Sequence, residues 1–203
     1  MTADADTLGL LRELNHRVKN NFQIIASLIN LKKRAADPHA REEIRFIEEH
    51  VTSMAVAYRL VYATGPMVEV AASELLPELI SALRVIAGLS LDQIAIDGPG
   101  LGGTIGLDQA IALGLYLSVS LPPYFDHALA ARGRVIITTE TGEGSRSISI
   151  SGDWGHAIAF DFLRRKLMAA YVRQLGAQVD QDDATGRLLL RIPLPIADAA
   201  AMR

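Results

Sequence analysis

The sequence predicts an α+β protein in two parts: an N-terminal helical hairpin, residues 1–65, that pairs with a second copy as a four-helix bundle, and an α/β sandwich over residues 66–203. Three observations carry this. Apolar residues recur at helical spacing on both sides of a short break at Ala36-Asp37-Pro38-His39, and Thr64-Gly65-Pro66 ends that pattern. Beyond it, short strand-like runs alternate with helical ones.

The first helix is expected over Thr7 to Arg34, where Leu11, Leu14, Val18, Phe22, Ile25 and Ile29 mark one greasy side. Ala40 to Tyr62 resumes the spacing through Ile44, Ile47, Val51, Met54, Tyr58 and Val61. A hairpin of this kind does not cover its apolar stripe alone, so a homodimer is expected. In the second part the expectations are a strand at 67–70, a helix at 73–86, a strand at 93–96, and a helix from Leu107 interrupted near Pro122-Pro123. Strands at 134–140 and 145–151 follow as a hairpin around Gly142 and Gly144, then a helix at 157–175 and strands at 177–181 and 187–193. Gly98-Pro99-Gly100-Leu101-Gly102-Gly103 has no following Lys-Ser/Thr and reads as a strand-to-helix loop, not a phosphate cradle.

Composition narrows the function. With 203 residues, half of them apolar, the chain builds its cores without staples. It has no cysteine, hence no disulfide, thiolate zinc site or cysteine nucleophile. A net charge of −3 without blocks of one sign gives no basic face for nucleic acid and no polybasic membrane patch. The acidic start is unlike a signal peptide, and the apolar run Ala110 to Phe125 is short of the ~20 residues a membrane helix needs. A cytoplasmic protein is expected. His39, His50, His127 and His156 are scattered, without metal-site spacing, and no serine-hydrolase elbow is present.

At about 100° per residue, Arg12, Lys19, Asn20, Gln23, Ser27, Asn30 and Arg34 fall on the same side of the first helix as His16, opposite the apolar stripe. An imidazole with a reference pKa of ~6.5 and no packing task is a usable nucleophile at neutral pH. Arg12, Arg17 and Lys19 are placed to steady a phosphoryl group, and Asn20 to hydrogen bond to it. An exposed histidine on a polar helix face usually does nothing. What singles this one out is its surroundings: Glu13-Leu14-Asn15-His16-Arg17-Val18-Lys19-Asn20-Asn21-Phe22-Gln23-Ile24-Ile25-Ala26-Ser27-Leu28. This segment closely resembles the phosphoacceptor region of the HWE-type and related bacterial sensor histidine kinases, whose pattern runs H-R-V-K-N-N. The resemblance implies a dimeric hairpin phosphorylated on His16.

The second part resembles that family's ATP-binding module in its order of strands and helices, but as a degenerate copy. Against the family's asparagine helix, Leu113-Gly114-Leu115-Tyr116-Leu117 leads to Ser118 where an Asn-Glu pair begins, and Pro123 stands at the usual magnesium-binding Asn. Ser149-Ile150-Ser151-Gly152-Asp153-Trp154-Gly155-His156 replaces the family's Asp-x-Gly-x-Gly turn, so Asp153 reads as a turn residue. Phe162 and Arg164 stand where glycines would admit phosphates to a helix N-terminus, and no glycine-bearing lid precedes them.

The resemblance therefore implies a histidine phosphotransferase. Such a carrier takes a phosphoryl group on His16 from the aspartate of one response-regulator receiver domain and passes it to another, without ATP. Leu8, Leu11, Arg12, Lys19 and Gln23 are expected to dock the receiver. No cofactor or metal is expected on this chain; magnesium belongs to the receiver's acidic pocket. The alternatives are an autophosphorylating histidine kinase, distinguished by nucleotide binding, and a non-catalytic dimeric scaffold, whose partner binding survives loss of the imidazole.

Overall fold

A computed structural model describes the backbone of residues 2–63, 69–142 and 144–194, with side chains from residue 18 onward except those of 19, 39 and 63. Helices α1 (Thr2–Ala35) and α2 (Pro38–Ala63) form an antiparallel hairpin. Lys33 of α1 reaches Glu48 of α2 at 2.6 Å, and the rings of Phe22 and Tyr58 lie 5.4 Å apart two to three turns further along. The turn is tight because Asp37 caps α2, its Oδ1 accepting from the Ala40 amide at 2.9 Å.

After the hairpin come β1 (Glu69–Ala71), α3 (Ala72–Ala87), β2 (Ile94–Asp97), β3 (Thr104–Gly106) and α4 (Leu107–Ala131). β4 (Val135–Gly142), β5 (Ser145–Gly152), α5 (Phe162–Gln174), β6 (Gln178–Asp182) and β7 (Arg187–Pro193) complete the chain. β1 pairs with β3 as a separate antiparallel ribbon. The main sheet runs β2-β4-β5-β7-β6, with β2 parallel to β4 and the remaining pairs antiparallel.

Period-two alternation turns Val135 and Ile137, Ile148 and Ile150, and Leu188, Leu190 and Ile192 to the face that joins the core. Ser145, Ser147 and Ser151 alternate with them and are partly exposed. The edge strand β6 is exposed along its whole length. Leu75, Leu79, Leu83, Leu113, Leu117 and Leu121 of α3 and α4 cover the apolar side of the sheet, and Val56, Ala57 and Val61 of α2 enter the same core. Gly114 lets α2 approach α4: a Cβ there would meet the Ser53 carbonyl oxygen and the Leu79 side chain, each at 3.2 Å. The α+β class, the mixed sheet and nearly all the expected elements are as the sequence predicts.

Four features differ from expectation. α1 begins at Thr2 rather than Thr7. α4 runs unbroken through Pro122 and Pro123. The last helix starts at Phe162 rather than 157, and β3 occupies the end of a stretch read as loop.

Candidate functional site

The backbone of α1 carries position 16 within a continuous helix. The side chains of Leu8, Leu11, Arg12, His16, Arg17 and Lys19 lie outside the described residues. Asn20, one turn after position 16, and Gln23 are exposed, as the helical register requires.

Beyond them α1 has two apolar stripes where the sequence reading found one. Val18, Phe22, Ala26 and Ile29 are half-buried on the side where Phe22 meets Tyr58. Ile24, Leu28 and Leu31 lie well away from that side and are 57%, 57% and 67% exposed. With Asn20, Gln23 and Ser27 they line a shallow groove that begins one turn beyond position 16. The second stripe was present in the sequence as spacings of four and three, masked by the polar residues between. Ile25 and Ile47, one on each helix of the hairpin, are also exposed.

Where α4 packs against α5, the two helices exchange polar contacts with each other. Pro123 has no N–H, so the Val119 carbonyl loses its helical donor. Arg164 of α5 supplies one, Nη1 donating to the Val119 oxygen at 3.1 Å. The same guanidinium lies over the Phe46 ring of α2, 5.3 Å from its centroid. One arginine thus repairs the proline helix and ties three helices together. Arg164→Ala should cost about 2 kcal/mol through the orphaned carbonyl and the lost ring contact, lowering Tm by roughly 4–8 °C in a thermal melt.

The N-terminus of α5 already holds an anion. Asp161 is its cap, Oδ1 accepting from the Arg164 amide at 2.8 Å, and the Arg164 Nε lies 3.4 Å from the other carboxylate oxygen. A phosphate there would meet a like charge at the amides it needs. Phe162, the first residue of α5, is 67% exposed with the Lys166 ammonium 4.5 Å from its ring centroid.

Asp153 is a turn residue, as expected. Its Oδ1 accepts from the Arg134 amide at 3.0 Å, while its own amide donates to the Arg134 carbonyl. After it the chain folds back in an aromatic cluster. Trp154 lies 4.5 Å from the His127 ring and 6.3 Å from Tyr124, which in turn is 6.3 Å from Phe160. Tyr124 is buried and donates to the Gly186 carbonyl at 2.9 Å; burial pushes its phenol up to about 12. His127 and His156, distant in sequence, have ring centroids 4.8 Å apart. Among the described residues no group of three or more metal-ligating side chains gathers.

The Gly98–Gly103 loop is no cradle either. The amides of Gly100 and Gly102 donate to the hydroxyls of Thr139 and Thr141 at 3.1 and 2.8 Å. Arg146, fully buried, donates to the carbonyls of Gly102 and Thr104. No helix among the described residues is long and apolar enough to cross a membrane.

Comparison with known proteins finds similarity to histidine kinases. Residues 13–87 match the HisKA_2 family model, described as histidine kinase, a span that contains position 16. The chain is 26% identical over 152 residues to the sensor histidine kinase PdtaS of Mycolicibacterium smegmatis, covering 74% of this chain and 29% of that protein. To PdtaS of Mycobacterium tuberculosis it is 29% identical over 135 residues, covering 64% and 26%. The chain therefore spans under a third of the length of the curated relatives it matches. Among solved structures, the fold is similar to the histidine kinase domain of the Erythrobacter litoralis EL346 blue-light activated histidine kinase. That match has a TM-score of 0.57 and 19% identity, covering 98% of both chains. A longer structure of the same kinase matches with a TM-score of 0.53 and 20% identity, covering 93% of this chain and 63% of that one.

Proposed function

We propose that this chain is a histidine phosphotransferase that relays a phosphoryl group between receiver aspartates through His16, in two-component signalling, without using ATP. The observation that carries the reading is the combination of a histidine-kinase-like acceptor segment with an α5 N-terminus occupied by the chain's own Asp161 carboxylate. Pro123 at the magnesium-binding position, with its vacated carbonyl bonded to Arg164, supports it.

In the proposed step a lone pair on the His16 imidazole attacks the phosphorus of a receiver aspartyl phosphate in line. A P–N bond forms as the P–O bond breaks, and the aspartate leaves as a carboxylate. Reversal onto a second receiver completes the relay. Magnesium in the receiver's acidic pocket neutralises charge on the moving group. Arg12, Arg17, Lys19 and Asn20 steady the phosphohistidine, and the receiver seats over Leu8, Leu11 and Gln23 and continues along the groove beside Ser27. A second copy of the chain covers Ile25 and Ile47, giving the homodimer. The hairpin, residues 1–65, is the acceptor and dimerisation unit, and residues 66–203 form the degenerate module.

The test is transfer of label from a radiolabelled phosphorylated receiver, set beside incubation with labelled ATP and magnesium. Label from the receiver alone is expected. Label from ATP would make the chain a kinase, and label from neither would favour a scaffold. Ser27→Arg, at the exposed groove, should lower kcat/KM for the receiver on the order of tenfold by steric exclusion, while sedimentation shows an unchanged dimer.

A further inference from the structure

Where α2 crosses α4 and α5, the N-terminal half of α2 adds charged contacts to the packing of Phe46, whereas its C-terminal half docks through Val56, Ala57 and Val61. Arg45 clamps Asp126 of α4 with two hydrogen bonds, at 2.9 and 2.6 Å. Because both terminal nitrogens are committed there, Glu49, one turn on and 1% exposed, receives only the Arg45 Nε at 3.4 Å, too poorly aligned to bond. Neither Glu49 oxygen has a hydrogen-bond donor, nor does the buried hydroxyl of Ser53 have a partner one turn further. The charged groups facing this carboxylate are Arg45 and Glu48 of α2, Asp126 of α4 and Arg164 of α5, and His50 is its neighbour in sequence. Glu48 is itself held by Lys33 of α1. An ionised carboxylate buried without donors carries a desolvation cost that the charges of Arg45 and Arg164 do not offset.

We propose that Glu49 is the proton-operated catch of a clasp: protonated, it lets the Arg45 end of α2 lie closed on α4 and α5, and ionised, it favours opening there while the Val56–Val61 end stays packed. His50 is not the trigger, because burial lowers its pKa while its Nδ1 holds the Phe46 carbonyl at 2.8 Å.

The sign follows from burial. Desolvation raises Glu49 to about 7 in the closed state from 4.5 in water. The closed state therefore binds the extra proton, is favoured at low pH, weakens as pH rises between those values and levels off above about 7. The linked change in the opening equilibrium between pH 5.5 and 8 is roughly 30-fold.

The absence of native cysteine makes the test direct. Ser53→Cys places a thiol at a fully buried site beside the clasp, and Val61→Cys places one in the apolar end. Each variant is titrated with an aromatic disulfide reagent, and its rate is divided by that of an unfolded peptide at the same pH to remove thiol ionisation. Protection of Cys at 53 is expected to fall roughly 30-fold from pH 5.5 to 8 while protection at 61 holds. In Glu49→Gln the dependence at 53 should vanish. In Asp126→Asn, which frees Arg45 for Glu49, it should move to lower pH. A flat profile at 53, a profile that persists in Glu49→Gln, or a parallel fall at 61 would each overturn the proposal.

Discussion

His16→Gln is expected to reduce the label captured from a phosphorylated receiver to background, a loss on the order of a thousandfold or more. The amide matches an imidazole roughly in size and polarity but offers no basic nitrogen lone pair to phosphorus. Among the described residues of the proposed surface nothing replaces it: Asn20 and Gln23 are amides and Ser27 a hydroxyl without a base, its Oγ donating to the Gln23 carbonyl at 2.8 Å. The measurement is acid-labile, base-stable label on the chain, with receiver binding followed separately. Retained binding with lost label fits a carrier. Retained label would move the acceptor elsewhere, and binding without label in the unaltered protein as well would leave a scaffold.

Gly186→Ala should produce the largest change in stability, for two separable reasons. The residue has φ +69°, which a side chain adopts at a cost of about 1–2 kcal/mol. A Cβ would also stand 2.0 Å from the His156 carbonyl oxygen, a backbone atom that no rotamer change moves aside. The 153–161 segment must shift, loosening the Trp154 packing on His127 and Tyr124 and the Tyr124 bond to the Gly186 carbonyl. A total near 4 kcal/mol lowers Tm by roughly 8–16 °C. Trp154 is the only tryptophan, so its emission reports the shift without labelling. Gly144→Ala is the comparison, with φ +79° but nothing within 4 Å of the added carbon. It should cost the backbone strain alone, about 1 kcal/mol. Equal losses in the two variants would show that the His156 contact relaxes freely.

The helices, the strands and the sheet's one covered face were legible because hydrophobic period alone dictates them. What local reading missed depends on partners far along the chain. A double proline normally ends a helix, yet α4 continues, and at Pro123 the stranded Val119 carbonyl finds its donor in Arg164, more than forty residues later. The start of α5 hinges on Asp161 capping the Arg164 amide; the apolar residues Ile158 and Phe160 before it mimic a helical face while belonging to the loop's own packing. Of the candidate site, the exposure of Asn20 and Gln23 and the turn role of Asp153 were readable. The second apolar stripe was not, since Ile24, Leu28 and Leu31 sit among residues already assigned to the wet face. Glu49 gave no sequence signal, because Arg45-to-Glu49 spacing reads as an ordinary surface ion pair until Asp126 claims the arginine.

The wholly exposed β6 restricts how copies of this chain meet. An uncovered border strand invites another chain's strand to add to it, and repetition of that event polymerises a protein without limit. Asp180 and Asp182 line this border among the solvent-facing residues Gln178–Asp182, and Arg191 of β7 pairs with Asp180 from within the sheet. Two such borders brought together would confine Asp182 and the Asp180–Arg191 pair, and stripping water from these charges discourages strand addition. The proposed pairing through the apolar positions on the hairpin is of the other kind: a two-fold contact closes on itself and stops at a pair.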